Sequence, residues 1–402
     1  MAKPMHILRR LAPIVIAFWA MVAPSFAAGE VKDIRLGVSD ARTRVVLDLG
    51  GKVDFDIFSL DNPRRVVVDL PSLDWPNKTP KVDGLVKNIR FGQFSDTKSR
   101  LVIDLSRPAN VAKSFLLDKS SGLPHRLVLD LVPSSASAFA QQVAKDRAAK
   151  RNSAKAEAPP QVFTPKPKTQ RRGKPVIVLD AGHGGVDPGA HGAKAREKDV
   201  TLTFTRELAK QLRATGRYKV YLTRNRDIYI PLRQRVNIAR KHNADLFVSI
   251  HADAIKRKSV RGMSIYTLSE TASDKEAAAL ARKENQSDII AGIDFADQPA
   301  EVANILIDLA QRETKNLSVK FANLVVEKAR GKTRLLERTH RFAGFRVLKA
   351  PDVPSVLIEL GFLTNRSDEK QLLSGAWRRG VAGAVVNSID AFFKGGQTAA
   401  LK

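Results

Sequence analysis

Between residues 31 and 133 short β-branched runs alternate with turn residues, and one hydrophobic and polar pattern recurs four times. Arg44-Val45-Val46-Leu47-Asp48-Leu49 is echoed by Arg65-Val66-Val67-Val68-Asp69-Leu70, Arg100-Leu101-Val102-Ile103-Asp104-Leu105 and Arg126-Leu127-Val128-Leu129-Asp130-Leu131. Each copy predicts a strand with charge at both ends. A repeat of this size, roughly 20 to 35 residues, is too short to bury its own face, so the copies are expected to stack into an all-β sandwich with internal pseudo-symmetry. No catalytic constellation falls in this region. His125, beside Pro124 in a turn, reads as a surface histidine.

After Lys174 the pattern changes. Apolar strands at 176–180, 219–223, 246–250 and 355–359 alternate with helical spacing at 200–215 and 235–243. This predicts an α/β domain: a mostly parallel sheet with helices on both faces, its strand order not readable. Residues 134–173, rich in Ala, Lys, Pro and Ser, separate the two domains. Their composition predicts a flexible, partly extended tether.

Composition narrows the chemistry. The 402 residues contain no cysteine, which excludes disulfides and thiolate metal sites, so any metal must be held by His, Glu, Asp or water. Lys3, Arg9 and Arg10 precede an apolar run that ends in small residues, and Ser25-Phe26-Ala27 fits a cleavage site. Residues 1–27 therefore read as an export signal, the general or twin-arginine route left open. The run is shorter than the roughly 20 apolar residues of a membrane span, so none is expected in the mature protein. A formal charge of +27 invites nucleic-acid binding, but export argues against it. The excess concentrates in 145–174, where Lys and Arg face only Asp146 and Glu157. Such a basic stretch suits either a solvated linker or a tether to cell-wall strands and anionic headgroups.

Three polar clusters directly follow apolar strands: Asp180-Ala181-Gly182-His183-Gly184-Gly185, Ser249-Ile250-His251-Ala252-Asp253 and Ile358-Glu359-Leu360-Gly361-Phe362. In an open parallel sheet the loops at the strands' carboxyl ends meet in one crevice. His183, His251 and Glu359 are thereby expected to converge. Two imidazoles and a carboxylate form a common catalytic zinc set. Glu197, opening a helix after the Gly-rich excursion, is a candidate third ligand, which would leave Glu359 for proton transfer. His191 is a candidate for a supporting position near the site; His242 and His340 read as surface residues. The glycine cluster fails as a dinucleotide loop because Asp187 stands where glycine is needed.

With these motifs in place, the chain resembles the zinc-dependent N-acetylmuramoyl-L-alanine amidases that carry an N-terminal AMIN domain. The residues that carry the resemblance are Leu179-Asp180-Ala181-Gly182-His183-Gly184-Gly185-Val186-Asp187-Pro188-Gly189-Ala190, Leu222-Thr223-Arg224 with Asp227, Ser249-Ile250-His251-Ala252-Asp253-Ala254 and Ile358-Glu359-Leu360-Gly361-Phe362-Leu363-Thr364-Asn365. The resemblance implies His183, Glu197 and His251 as Zn2+ ligands, Glu359 as the catalytic carboxylate and a peptidoglycan-binding AMIN domain over 28–133. An amidase domain would span 174–396. It further implies a periplasmic protein recruited to the division septum, with a regulatory insertion at about 265–340. A helix there is expected to cover the zinc until a LytM-type activator displaces it. Glu284 is the first candidate for the covering carboxylate and Glu276 the second. A non-catalytic wall-binding protein and a zinc peptidase acting within the stem peptide are the alternatives.

Overall fold

The computed structural model describes residues 29–154 apart from 77 and 121, then 173–293 and 305–399. The expected export signal and the second half of the tether lie outside the described residues. Among those described, no helix is long and apolar enough to cross a membrane.

The N-terminal domain comprises β1 (Gly29–Ser39), β2 (Arg42–Leu49), β3 (Asp56–Leu60), β4 (Arg65–Pro71), β5 (Leu73–Asp74), β6 (Val86–Gln93), β7 (Lys98–Leu105), β8 (Ala109–Leu117) and β9 (His125–Pro133). They form two sheets, ordered β5-β1-β2-β9-β8 and β3-β4-β7-β6. The four repeats are β2, β4, β7 and β9, and they pair two by two. Arg44 stands opposite Asp130 and Asp48 opposite Arg126, while Arg65 stands opposite Asp104 and Asp69 opposite Arg100. The spacing of Arg and Asp within each repeat therefore places opposite charges face to face in an antiparallel register, a pairing that stabilises the ladder. The intervening Val45, Leu47, Val68, Leu101, Ile103 and Leu129 fill the shared core.

The tether begins differently from the expectation. Residues Ala136–Ala154 form a helix, α1. Its Ala, Gln, Lys and Arg content favours helix, and Phe139 and Val143, one turn apart, are buried in the sandwich core. Two apolar anchors supply the burial that composition alone concealed.

The C-terminal domain runs β10 (Val176–Ala181), α2 (Glu197–Ala214), β11 (Lys219–Leu222), α3 (Leu232–Lys241), β12 (Leu246–His251) and β13 (Met263–Leu268). It continues through α4 (Lys275–Glu284), α5 (Ser287–Ile290), α6 (Ile305–Ala329), β14 (Leu335–Ala343), β15 (Ser355–Glu359), α7 (Arg366–Leu373) and α8 (Gly375–Ala399). The sheet order is β11-β10-β12-β15-β13-β14, parallel throughout except where β13 meets β15. Side chains of α2, α6 and α8 cover one face, and those of α3 and α4 the other.

The stretch 265–340 is not a simple insertion. Its two ends are strands of the sheet, and α6 is core, burying Phe321 and Val325. Among the described residues of this stretch, Glu284 at the end of α4 and Ser287 on α5 reach the residues at the strands' carboxyl ends. β14 escaped the sequence reading because it is an edge strand carrying Glu337, Arg338, His340 and Arg341, with little apolar alternation.

Candidate metal centre

β10 ends beneath a turn whose backbone lifts one imidazole out of the sheet. His183 adopts φ 59, the left-handed region, followed by Gly184 at φ 125 and Gly185 at φ 55. An L-residue is held there only by its surroundings. Arg235, buried on α3, donates to the carbonyls of Ala181 at 2.7 Å and His183 at 2.9 Å and to Asp180 at 2.8 Å. Gly182 admits the second imidazole: a Cβ there would lie 2.5 Å from the His251 ring.

His251 ends β12, and the register sets it beside Glu359 on β15. Glu197 opens α2 with its carboxylate pinned by two backbone donors, Ala190 N at 2.8 Å and Ala252 N at 3.0 Å. Glu284 ends α4. That helix is capped by Asp274 and buries Ala277, Leu280, Ala281 and Glu284, a helical stripe that ends in a carboxylate. A negative charge at a helix carboxyl terminus opposes the helix dipole, so something in the pocket must compensate it.

The side chains of His183, Glu197, His251 and Glu284 each offer a ligand atom within 4.8 Å of every other, and all four are buried. His183 Nε2 lies 3.1 Å from Glu197 Oε1 and 3.3 Å from Glu284 Oε2, and His251 Nδ1 lies 3.1 Å from each of those oxygens. A tetrahedron with metal bonds of about 2.0–2.1 Å has edges of about 3.4 Å. Although close to two carboxylates, His183 Nε2 has no hydrogen bond in proper geometry. His251 Nδ1, by contrast, shares a hydrogen bond with Glu197 Oε1 at 3.1 Å.

Electrostatics agree. Burial alone would lower both imidazoles, yet Glu197, Asp187 and Glu284 hold His183 well above its ordinary value, and Glu284 with Glu197 raises His251 to about 10. Burial would raise Glu197 and Glu284, but the imidazoles hold both low. With neutral rings the two carboxylates leave the pocket two negative charges in excess. Protons on the rings or one divalent cation neutralise it.

Glu359 stands apart from the four. Its Oε2 accepts from Asp253 N at 3.0 Å, whereas Oε1 is buried without a partner. Burial, with Asp253, Glu197 and Glu284 nearby, pushes it well above the usual carboxylate range despite His251.

Residues 177–391 match the family model described as N-acetylmuramoyl-L-alanine amidase, and residues 33–131 match the AMIN domain. The chain is 34% identical to the N-acetylmuramoyl-L-alanine amidase AmiC of Escherichia coli O6:H1, covering 98% of this chain and 97% of the relative. The chain belongs to the AMIN-containing N-acetylmuramoyl-L-alanine amidases. The AmiC of Neisseria meningitidis serogroup B is 37% identical over 95% of this chain and 93% of its own. The amidase AmiA of Salmonella typhimurium shares 40% over 57% of this chain and 80% of its own.

Within this amidase His191, the candidate for a supporting position, and Glu276 are exposed. His125, His242 and His340 are partly exposed: His242 stacks on Tyr221, and His340 Nε2 lies 3.0 Å from Thr267 Oγ1.

The sequence reading missed the supporting shell. Asp187 Oδ2 holds His183 Nδ1 at 2.9 Å, orienting the ring so that Nε2 faces the pocket. Ser287 Oγ donates to the same Asp187, and Lys283 pairs with Asp253. Asp180 sits fully buried between Arg235, Thr223 and Ser249, which outweigh burial and hold it low. Arg235 left one signal in the sequence: a charge inside the apolar stripe Leu232, Arg235, Val236, Ala239.

Proposed function

We propose that His183, Glu197 and His251 hold a zinc ion with which this amidase hydrolyses the bond between the lactyl group of N-acetylmuramic acid and L-alanine in peptidoglycan stems. The observation that carries the reading is the gathering of two imidazoles and two carboxylates, each with a ligand atom within 4.8 Å of every other, around an imidazole nitrogen that no hydrogen bond claims. When bound, zinc supplies a Lewis acid for the lactyl carbonyl and lowers the pKa of a water.

The chain's own groups do the rest. Asp187 fixes the His183 tautomer, and Asp253 N fixes the Glu359 carboxylate. The unpartnered Glu359 Oε1 takes the proton of the attacking water and returns it to the departing L-alanine nitrogen. A wall-binding module without turnover gains nothing from burying such an oxygen, which favours the enzyme over that alternative.

Glu284, whose carboxylate faces both imidazoles, would compete with water or substrate for the ion, so the resting state is self-inhibited. A LytM-type activator relieves it by drawing α4 and α5 away. The AMIN domain binds peptidoglycan, and residues 1–27 direct export to the periplasm, where the protein splits septal wall during daughter-cell separation.

Mass-spectrometric analysis of purified peptidoglycan, digested with and without chelator, tests the reading. Intact stem peptides beginning at L-alanine are expected, lost on chelation and restored by zinc. Fragments cut within the stem would assign the site to a peptidase. Hydrolysis that survives complete metal removal would reject the centre.

A further inference from the structure

Three guanidinium groups on the outer face of the β3-β4-β7-β6 sheet are turned toward the other domain. Arg65 Nη1 donates to the carbonyl of Ile289, Arg90 Nε to that of Ile290 at 3.2 Å, and Arg100 Nη1 to those of Ala291 at 3.1 Å and Gly292 at 3.0 Å. Four successive carbonyls, at and just beyond the end of α5, thus find their donors on the AMIN domain. Ile289 and Ile290 close the last turn of α5, where carbonyls run short of intrahelical donors, although Ile289 O also accepts from Gly292 N at 3.0 Å.

The donors arrive already oriented. Arg90 is bound by Asp104, and Arg100 by Asp69, its cross-strand partner in the repeat. Beneath them lies an apolar seat. Phe58, Leu60, Val67 and Val102 meet Ala291 and Ile293, and a Cβ at Gly292, whose φ is 72, would lie 3.1 Å from Val67. The same repeat position on the opposite sheet behaves otherwise: the Arg44 side chain is 37% exposed against 6% for Arg100. Symmetry in sequence has been broken by what one face holds.

The held segment begins in the metal pocket. Glu284 touches both imidazoles, Ser287 donates to Asp187, and Asp288 accepts from Tyr229 Oη at 2.6 Å and Leu232 N at 2.9 Å. Between Glu284 and Gly292 the chain therefore joins the candidate metal centre to the AMIN sheet.

We propose that this face of the AMIN domain is an intramolecular receptor for residues 289–293, and that by gripping their carbonyls it keeps Glu284 on the metal. The inference rests on the reading of Glu284 as the blocking group. It makes the AMIN domain a partner in inhibition as well as a wall-binding module. The two states are thermodynamically linked: whatever occupies the arginine face must release the segment, and whatever withdraws the segment frees the face.

The test uses the full zinc-loaded chain without activator and reads two quantities, hydrolysis of purified peptidoglycan and deuterium exchange of the amides of 284–293. The double variant Arg65→Ala/Arg100→Ala is expected to speed both roughly tenfold or more, since each lost contact is a charged hydrogen bond. Ile293→Asp attacks the contact from the segment's side with the AMIN sheet intact, and the same direction is expected. Wild-type hydrolysis and exchange in both variants would overturn the proposal. Glu284→Ala separates the layers. If it activates while the arginine and Ile293 variants change neither quantity, the receptor alone is refuted; if it fails to activate while those variants speed exchange, the docking holds and Glu284 is not the block.

Discussion

Both domains place polar and charged residues at the ends of apolar strands, with opposite results. In the AMIN sandwich the repeat strands pair antiparallel, so charged ends alternate between the two edges and pair across the ladder, as Arg44 does with Asp130. In the amidase sheet β10, β12 and β15 run parallel, so His183, His251 and Glu359 leave the sheet at one rim. Strand direction decides whether polar ends stitch a surface or assemble a site.

That contrast can be broken at several points. Glu359→Gln is expected to lower peptidoglycan hydrolysis by about 10²–10⁴-fold while bound zinc, measured by elemental analysis, stays at one per chain. Retained turnover would demote the rim to a binding site. Asp180→Asn removes one partner of a fully buried pair beneath that rim and is expected to cost about 3–5 kcal/mol in denaturant unfolding. Its sign with pH follows from its lowered folded value. The stabilisation is present above the unfolded carboxylate pKa and lost as pH falls through the folded one, so the variant should show a flatter acid limb. Asp187→Ala leaves the ligands in place but frees the His183 ring, and zinc affinity from competition with a chelating dye should fall about 10- to 100-fold. Arg44→Ala, the matching position in the sandwich, faces solvent and should cost at most about 1 kcal/mol with hydrolysis unchanged. A loss as large as that of Asp180→Asn would erase the distinction.

Much of this was legible in the sequence because hydrophobic period and strand-end chemistry are local signals. The four repeats, the α/β class and the grouping of His183, His251 and Glu359 could be read that way. What the sequence hid depends on distant neighbours. β14 is an edge strand whose polar faces look like a loop, and α1 becomes a helix against the sandwich through Phe139 and Val143. The roles of Asp187, Ser287 and Asp180 follow from approaches between segments up to 100 residues apart. Glu284 lay between, since its place at the end of the stripe Ala277, Leu280, Ala281 is visible only once the helix is known to begin at Lys275.

Because the carboxylate that faces the imidazoles is covalently part of the same chain, its local concentration at the pocket is fixed by a few residues of backbone and not by how much protein is present. Dilution into a large compartment would not free such a site, and crowding many copies together would not close it further. Under the proposed self-inhibition the block would travel with each molecule, and a surface competing for the segment would lift it.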